Sequence, residues 1–234
     1  MTGKVYLIPN TLGDTSPSGV LPEKVFTVIQ NLDYFIVENI RNARRFIIRC
    51  GYTKSIDDIQ FFELNKHTSP EDISNYLDAC KEGIDMGIIS EAGVPGVADP
   101  GAEIVALAHH KGIQVIPLAG PSSILMSLMA SGLNGQNFCF QGYLPVKTPE
   151  RIRRIGELEK IIGKHNQTQI FIETPYRNNA LLDDLLRTCQ PKTRLCIACD
   201  LSLDSEFIRT GSVADWKKNK PDLHKRPCVF LLGK

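Results

Sequence analysis

The sequence between residues 90 and 101 reads Ser90-Glu91-Ala92-Gly93-Val94-Pro95-Gly96-Val97-Ala98-Asp99-Pro100-Gly101. It follows a short apolar run and precedes a helix-like segment. Its three glycines and two prolines shape the backbone, because glycine permits positive φ and proline restricts φ. In an open α/β sheet, the loops at the carboxyl ends of the strands form the ligand crevice. Glu91 and Asp99 are therefore the first candidates for a binding site.

Short apolar runs alternate with amphipathic segments on both sides of this loop. The pattern predicts strands at 4–9, 34–38, 61–64, 86–89 and 115–116. It predicts helices at 22–32, 41–48, 69–83 and 103–110, the third of them introduced by Ser69 as N-cap and Pro70 at the first helical position. Strands that alternate with helices indicate an α/β fold with a parallel sheet.

The second half of the chain carries its own set of elements. An apolar helix follows Gly120, and we place the domain boundary there, giving domains of residues 1–119 and 120–234. The pattern predicts strands at 138–141, 169–173, 194–199, 207–210 and 228–232. Helices are predicted at 150–162 and 175–189, each introduced by a Thr-Pro pair.

Composition excludes several classes of protein. The chain has 234 residues, 42% of them hydrophobic, which is ample for a core, and its formal net charge is +1, so no global field attracts it to nucleic acid or an anionic membrane. Residues 112–146 carry no charge, but prolines, glycines and polar groups interrupt them, so we expect buried interior or a subunit contact and no membrane span. The start shows no signal-peptide pattern, which predicts a cytoplasmic protein.

Familiar cofactor and metal motifs are absent from the sequence. The first strand-to-helix turn lacks Gly-x-Gly-x-x-Gly, and no phosphate loop occurs. Cys196 and Cys199 have Cys-x-x-Cys spacing but lie in a predicted strand, where a spacing of three sends the sulfurs to opposite faces. No histidine spacing is typical of a metal site, so we predict no metal.

Six motifs, in order along nearly the whole chain, resemble the tetrapyrrole-methylase superfamily, and within it the small-subunit ribosomal RNA methyltransferase I group, which methylates a cytidine ribose 2′-hydroxyl. The motifs are Ile8-Pro9-Asn10-Thr11-Leu12-Gly13, Glu38-Asn39-Ile40-Arg41 to Arg45, Ser90 to Gly101, Pro117-Leu118-Ala119-Gly120-Pro121-Ser122-Ser123, Gln141-Gly142-Tyr143-Leu144-Pro145 and Glu173-Thr174-Pro175-Tyr176-Arg177.

The resemblance implies a methyltransferase that uses S-adenosylmethionine and assembles as a homodimer. It implies a two-domain α/β fold, with an N-terminal parallel sheet flanked by helices on both faces, a C-terminal mixed sheet, and the donor in the cleft between the domains. Carried over by position, the donor contacts are Pro9, Glu91, Val94, Ser122, Ser123 and the strand at Phe171.

The residue types suit this donor, which needs acceptors for its ribose diol and apolar walls for its adenine. Glu91 can supply an acceptor and Val94 a wall. Other readings stay open. Glu91 could only cap the loop backbone, Asp99 could be a turn former before Pro-Gly, and Ser122 and Ser123 could be helix N-caps.

The residue that acts as general base is not decided by the sequence. Three pairs near predicted strand ends are candidates: Glu38 with Arg41, Glu63 with His67, and Glu173 with Arg177. Each pair could also be a surface ion pair or a cap. Glu38 and Arg41 are the preferred catalytic candidates because they match the family's Glu-Asp-Thr-Arg segment. Two departures stand out: Asn39-Ile40 replaces the family's Asp-Thr, and Glu91 replaces an Asp.

The sequence leaves three hypotheses for the methyl acceptor. Two basic clusters could meet ribosomal RNA or the small ribosomal subunit, although each could simply be solvated. They are Arg41, Arg44 and Arg45, and Lys147, Arg151, Arg153 and Arg154. The near-neutral charge and the lack of the ribosomal enzymes' C-terminal helical segment favour a second hypothesis, a small-molecule acceptor such as a tetrapyrrole. A third is a donor-binding paralogue without catalysis.

Overall fold

The alternating segments build two α/β units in the computed structural model, which describes residues 2–65 and 67–234. The first unit is Met1–Ser122 and the second is Ser123–Lys234. Each unit has a five-stranded sheet of its own.

The sheet of the first unit is parallel throughout, with strand order β3-β2-β4-β1-β5. Its strands are β1 (Lys4–Ile8), β2 (Tyr34–Val37), β3 (Gln60–Glu63), β4 (Met86–Ile89) and β5 (Gln114–Pro117). Its helices are α1 (Pro17–Val20), α2 (Glu23–Gln30), α3 (Ile40–Arg49), α4 (Pro70–Asn75), α5 (Asp78–Lys81) and α6 (Ala102–His110).

Helices cover both faces of this sheet, as the resemblance implies. Helices α2 and α3 pack on the face that carries Phe35 and Val37. Helices α5 and α6 pack on the opposite face, which carries Ile36. Successive strand residues point to opposite faces, so a strand with apolar residues at every position is buried from both sides.

The predicted helix at 69–83 is two short helices in the structure, α4 and α5. Ser69 caps α4 as predicted, its hydroxyl accepting from the Asp72 amide at 3.1 Å. The chain then turns at Tyr76 and Leu77, where the Tyr76 hydroxyl donates to the Glu63 carbonyl at 2.5 Å and Leu77 is fully buried. Tertiary contacts at these two residues therefore interrupt a segment whose local pattern is helical throughout.

The second unit has a mixed sheet with strand order β6-β7-β10-β8-β9, in which only β6 and β7 are parallel. Its strands are β6 (Phe138–Tyr143), β7 (Thr168–Ile172), β8 (Arg194–Cys199), β9 (Phe207–Ser212) and β10 (Cys228–Gly233). Its helices are α7 (Ser123–Ser131), α8 (Thr148–His165), α9 (Asn178–Thr188) and α10 (Val213–Lys218).

The core of the second unit lies between one sheet face and helices α8, α9 and α10. Trp216 of α10, an element that the sequence pattern did not predict, is 1% exposed there and donates its indole N–H to the Leu195 carbonyl at 2.8 Å. Cys199 faces this core and meets Cys228 across the ladder, with the two sulfurs 2.6 Å apart. Cys196 is buried but lies outside this core cluster, as a spacing of three in a strand predicts.

Helix α9 begins three residues later than predicted. The Glu173 carboxylate accepts from the Thr174 amide at 2.6 Å, and the Arg177 amide donates to the Thr174 carbonyl at 2.9 Å. These bonds form a turn before the helix, so Thr174 and Pro175 do not start it. None of the helices in the described residues combines the length and the apolar character needed to span a bilayer.

Candidate active site at the carboxyl edge of the parallel sheet

Strand order marks one place on the first sheet as the ligand crevice. Strands β1 and β4 are neighbours, but the chain leaves β1 toward β2 and leaves β4 toward β5, on opposite sides of the pair. Their connecting helices accordingly lie on opposite faces. Such a switch point leaves a crevice outside the carboxyl ends of the two strands. The segments at this crevice are Pro9-Asn10 after β1 and Ser90-Glu91 after β4.

Asn10 fastens these two segments together. Its backbone amide donates to the Gly93 carbonyl at 2.8 Å. Its side-chain amide donates to the carbonyls of Ser90 at 3.0 Å and Glu91 at 3.1 Å. Three hydrogen bonds from one residue therefore set the path of the loop that carries Glu91.

The Glu91 carboxylate is held by a residue from another element. The side-chain amide of Asn42, in the first turn of α3, donates to Glu91 Oε2 at 2.6 Å. The backbone amide of Asn42 in turn donates to Asn39 Oδ1 at 3.1 Å, which is the N-cap bond of α3. Asn39 thus performs the capping role for which asparagine and aspartate are about equally suited, so its replacement of the family's Asp keeps the helix start intact.

The loop from 90 to 101 has a strained path near its end. Gly101 has φ +125°, a value open to glycine, but Ala98 also has a positive φ of +62°. The Gly96 amide closes the turn by donating to the Pro100 carbonyl at 3.3 Å. Non-glycine residues with positive φ persist only where surrounding structure holds them, and such residues cluster at functional sites.

A close approach of two loops makes Gly120 necessary. A Cβ at Gly120 would lie 2.1 Å from Pro9 Cβ, inside the distance that any two carbons tolerate. The loop after β5 therefore packs directly on the loop after β1. Pro9 is buried at this contact.

Three carboxylates share this edge: Glu38 after β2, and Glu91 and Asp99 in the loop after β4. Burial, together with the negative charge of Glu91, raises the pKa of Glu38 above its usual value. Burial, with the charges of Glu38 and Glu91, raises the pKa of Asp99 to about 6. Like charges disfavour ionisation of their neighbours, so these carboxyls lie near enough to influence one another.

Two cavities border these carboxylates. A cavity of about 450 Å³ is lined by Asn65, Thr68, Asp99, Pro100 and Glu103, among others. A much smaller one, of about 10 Å³, lies beside Glu38, Ser90 and Pro100.

The predicted pairing of Glu38 with Arg41 is not an ion pair. Across residues 2–65 and 67–234 the structure has no salt bridge that joins Glu38 to Arg41 or Glu63 to His67. Arg41 is exposed and Glu38 is half-buried. The electrostatic neighbour of Glu38 is Glu91.

The predicted pair in the second unit does form. Arg177 donates to Glu173 Oε1 through Nε at 3.0 Å and Nη2 at 2.6 Å, and the Glu173 side chain is 1% exposed. The same oxygen organises the turn before α9. Glu173 therefore stabilises the local fold as an ion-pair partner and cap, one of the alternatives to a catalytic role that the sequence left open.

The remaining predicted donor contacts differ in exposure. Val94 is half-buried in the loop after β4, Ser122 is buried, and Ser123 is the first residue of α7. Phe171 is fully buried in the core of the second unit, stacked on Phe230 with 6.0 Å between ring centroids. Its side chain is thus committed to packing, and only its backbone could meet a ligand.

The two basic clusters differ in how many of their cations have ion-pair partners. On α3, Arg44 pairs with Asp57, and Arg49 bonds the Thr15 carbonyl, whereas Arg45 is exposed. In the described part of the chain, neither Arg41 nor Arg45 has an ion-pair partner. The four cations of the second cluster, at the start of α8, are each paired with a carboxylate: Lys147 with Glu150, Arg153 and Arg154 with Glu157, and Arg151 with Asp184.

Sequence reasoning missed the two asparagines that organise this site. Asn10 stood within a recognised motif without a role, and Asn42 had none. Asparagine at a strand end is a usable signal, because its amide can bridge loop carbonyls while it tolerates unusual backbone angles. The bond from Asn42 to Glu91, 49 residues apart, has no such local signal.

The site can be compared with known proteins. The family model for tetrapyrrole (corrin/porphyrin) methylases matches residues 18–216. The chain is similar to the ribosomal RNA small subunit methyltransferase I of Vibrio cholerae, 26% identical over 97% of this chain and 76% of the relative. It is also similar to that of Synechocystis, 27% identical over 94% of this chain and 76% of the relative.

Solved structures share the fold at lower identity. The methyltransferase CobJ matches with a TM-score of 0.65 and 15% identity, covering 100% of this chain and 95% of its own. Uroporphyrin-III C-methyl transferase from Thermus thermophilus, complexed with S-adenosyl homocysteine, matches with a TM-score of 0.59 and 16% identity, covering 99% and 98%.

Proposed function

The chain belongs to the tetrapyrrole (corrin/porphyrin) methylases and is an S-adenosylmethionine-dependent methyltransferase, and we propose that it methylates a ribose 2′-hydroxyl of small-subunit ribosomal RNA. The observation that carries the proposal is the match to ribosomal RNA small subunit methyltransferases I, which extends over 97% of the chain. The surface chemistry near the crevice supports it in three further respects.

The carboxyl edge of the first sheet has the residue types that the donor requires. When bound, S-adenosylmethionine supplies a methyl group activated by a sulfonium. Glu91, held at 2.6 Å by Asn42, is a fixed acceptor for ribose hydroxyls. Val94 is half-buried and suits an adenine wall, and Pro9 and Ser122 flank the same edge. Donor contacts from Ser123 and from the Phe171 backbone, both in the second unit, stay predictions.

The acceptor is proposed to approach Glu38 and Arg41. Glu38 lies between β2 and α3, Arg41 lies in the first turn of α3, and the neighbouring Asn42 holds Glu91. A cation without an ion-pair partner here can bind a backbone phosphate of the acceptor strand. Orientation of two reactants in this way is the main contribution that a protein makes to an in-line displacement.

Arg45 extends this cationic surface along α3. Its guanidinium is exposed, and among the described residues no carboxylate pairs with it. Paired arginines must give up a partner before they bind phosphate, so Arg41 and Arg45 are the arginines of α3 best suited to RNA. The four cations of the second basic cluster are paired with carboxylates, and this favours the first basic cluster over the second.

Assembly and location are proposals of the same kind. We propose a homodimer, because Met129, Tyr143 and Val146 are 82%, 60% and 63% exposed within the stretch that carries no charge. Exposed apolar side chains concentrated in one segment are typical of a protein contact. An enzyme that modifies the small ribosomal subunit works where subunits are assembled, so we propose a cytoplasmic location.

The decisive experiment combines donor binding with methyl transfer. Calorimetry with S-adenosylmethionine should show one donor per chain. Tritium-labelled donor should then label RNA in immature small ribosomal subunits, as a 2′-O-methyl nucleotide. Label in a low-mass product and none in RNA would contradict the RNA acceptor and favour a small molecule. Donor binding without any transfer would contradict the acceptor proposal altogether.

A matched pair of arginine variants tests the RNA surface in the same assay. Arg45→Gln should raise the KM for subunits and lower the salt slope of binding by about one, as loss of one phosphate contact does. Arg49→Gln removes an equal charge from the same helix, but Arg49 is already bonded to the Thr15 carbonyl. Equal effects of the two substitutions would contradict a specific role for Arg45.

A further inference from the structure

A third basic cluster runs from the end of α10 toward β10 in the second unit. Residues 217–226 contain five cations, one histidine and one carboxylate, in a chain whose formal net charge is +1. Two of these cations have ion-pair partners: Lys220 Nζ lies 2.6 Å from Asp183 Oδ1, and Arg226 Nε lies 2.9 Å from Asp200 Oδ2. The other three are exposed, and among the described residues they form no salt bridge: Lys217, Lys218 and Lys225.

Hydrogen bonds fasten the end of this cluster to the start of α9. The Asn179 side chain donates to Asp222 Oδ1 at 2.7 Å and accepts from the Leu223 amide at 2.9 Å. The Lys225 amide donates to the Pro175 carbonyl at 3.1 Å, and Lys225 has a positive φ of +60°. A non-glycine residue keeps such a backbone conformation only where the surrounding structure holds it. The segment before β10 therefore has a defined path across the start of α9.

This path brings two exposed aromatic rings together beside Lys225. Tyr176, in the turn before α9, is 72% exposed, and in the described part of the chain its hydroxyl makes no hydrogen bond. His224 is also exposed, and its ring packs edge to face with that of Tyr176, with 6.0 Å between the centroids and 73° between the planes. The contact restricts the Tyr176 ring, while most of the ring surface stays open to solvent.

These residue types fit a single-stranded nucleic acid better than a protein partner. Proteins bind single strands with aromatic side chains, on which bases stack, and with cations that neutralise the backbone phosphates. Lys225 has no carboxylate to give up before it binds a phosphate. A protein contact would expose several large apolar side chains together. Beyond residue 146, however, Tyr176 is the single large apolar side chain among the described residues that is exposed.

We propose that Tyr176, His224 and Lys225 form a binding surface for an unpaired segment of the RNA acceptor, with a base stacked on Tyr176 and a phosphate on Lys225. The inference rests on the proposed function, because it assumes an RNA acceptor. It adds a surface on the second unit to the exposed arginines of α3. Every base has a face that can stack, so this surface selects unpaired over paired RNA and tolerates many sequences.

Fluorescence anisotropy with the full chain tests the stacking. The probes are a fluorescein-labelled oligouridylate of about twelve nucleotides, which has no pairing partner, and a duplex of the same length. Tyr176→Ala should weaken binding of the single strand about tenfold, whereas Tyr176→Phe should stay within about twofold of the unaltered protein, because the ring alone stacks. The duplex should bind the three proteins equally. Equal single-strand affinity of Tyr176→Ala and the unaltered protein would overturn the proposal.

The salt dependence of the same binding tests the phosphate contact. Lys225→Gln should reduce the slope of log affinity against log salt by about 0.7, the value for one phosphate contact on a single strand. Lys164→Gln is the matched control, since Lys164 is exposed on α8 of the same unit and no carboxylate among the described residues pairs with it. Equal slopes in the two variants would refute the contact at Lys225.

Methyl transfer separates this surface from the proposed function. Tyr176→Ala should raise the KM for immature small ribosomal subunits more than it lowers kcat, and should keep Tm, because the ring is exposed. An unchanged KM in an enzyme that labels RNA would refute the surface and leave the proposed function. If the unaltered enzyme labels no RNA, the proposed function fails, and single-strand binding alone decides the role of Tyr176. A Tyr176→Ala protein with lower mass in light scattering, or with weaker donor binding in calorimetry, would overturn the assignment to RNA.

Discussion

Glu91 shows how an exposed side chain acquires a defined position. Its backbone carbonyl accepts from Asn10 at 3.1 Å, and its carboxylate accepts from Asn42 at 2.6 Å. One bond comes from the end of β1 and the other from the first turn of α3, so two elements fix one residue. A carboxylate held before its ligand arrives loses less freedom on binding, and preorganisation of this kind improves affinity.

Asn42→Ala tests this preorganisation. The substitution removes the hydrogen bond to an exposed carboxylate, worth about 1 kcal/mol, and should weaken donor binding roughly fivefold with little change in Tm. Calorimetry with S-adenosylmethionine and with S-adenosylhomocysteine measures the change. Asn31→Ala is the matched control: Asn31 is exposed in the same unit, and its side chain bonds only the Thr27 carbonyl of its own helix. Equal donor affinity in the two variants would contradict the role of Asn42.

Helix α8 begins with several cations, which is unfavourable at a helix N-terminus, yet one of them stabilises the fold. Cations at a helix N-terminus oppose the helix dipole. Arg151, in the first turn, is nevertheless buried, because it pairs with Asp184 of α9 at 2.5 Å and donates to the Pro145 and Val146 carbonyls. Arg151 thereby joins α8 to α9 and to the loop before α8. At the start of α8, Arg151 therefore forms a buried ion pair between two helices, whereas the other cations form ion pairs at the surface.

Arg151→Met should destabilise the second unit by about 3 kcal/mol, because loss of one partner leaves Asp184 buried with less compensation. Arg153→Met is the matched control on the same helix. Arg153 is 77% exposed and 3.8 Å from Glu157, and such surface pairs contribute less than about 1 kcal/mol. Urea unfolding followed by the fluorescence of Trp216, the single tryptophan, reports on this unit. Similar losses in both variants would show that Arg151 is not a structural link.

Each of the two units has its own core and its own sheet. The large apolar side chains that are exposed to solvent are concentrated in one part of the sequence. Most of the large exposed apolar side chains lie between residues 97 and 146, and several fall in the uncharged stretch. On α7, Ile124 and Leu128 are buried while Met129 is 82% exposed. Helix α7 is apolar on its buried face and also on part of its exposed face. Exposed apolar surface of this kind supports the proposed homodimer, in which it would be buried.

Met129→Glu should shift the protein from dimer to monomer, because a charge would be buried at the contact without a partner. Light scattering after size exclusion, over a range of concentrations, measures the mass. Ile48→Glu is the control, since Ile48 is an exposed apolar residue of the first unit, 56% exposed, outside the uncharged stretch. An unaltered protein that is already monomeric, or a Met129→Glu dimer, would contradict the proposed contact.

The sequence by itself determined the elements and the family. Apolar periodicity located every strand to within about two residues, and the six ordered motifs identified the methyltransferase family that the comparison confirms. These features depend on residues close together in the chain, where backbone preferences and burial patterns act. The misses were α1 and α10, both short, the division of one helix into α4 and α5, and the late start of α9. Tertiary contacts at Tyr76 and Leu77 divide the helix predicted at 69–83, and hydrogen bonds within the turn at Glu173 and Thr174 delay α9.

Only the tertiary structure decided which side chains meet. The bond between Asn42 and Glu91, the effect of Glu38 on the pKa of Asp99, and the pair of Arg151 with Asp184 join residues from separate elements. Strand order brings β1 beside β4 and β2 beside β4, and this order arises from how the whole chain packs its helices on both faces. A local pattern shows that a residue is polar and lies at a strand end. The charge it faces, and hence its pKa and its chemistry, depends on the neighbour that the fold supplies.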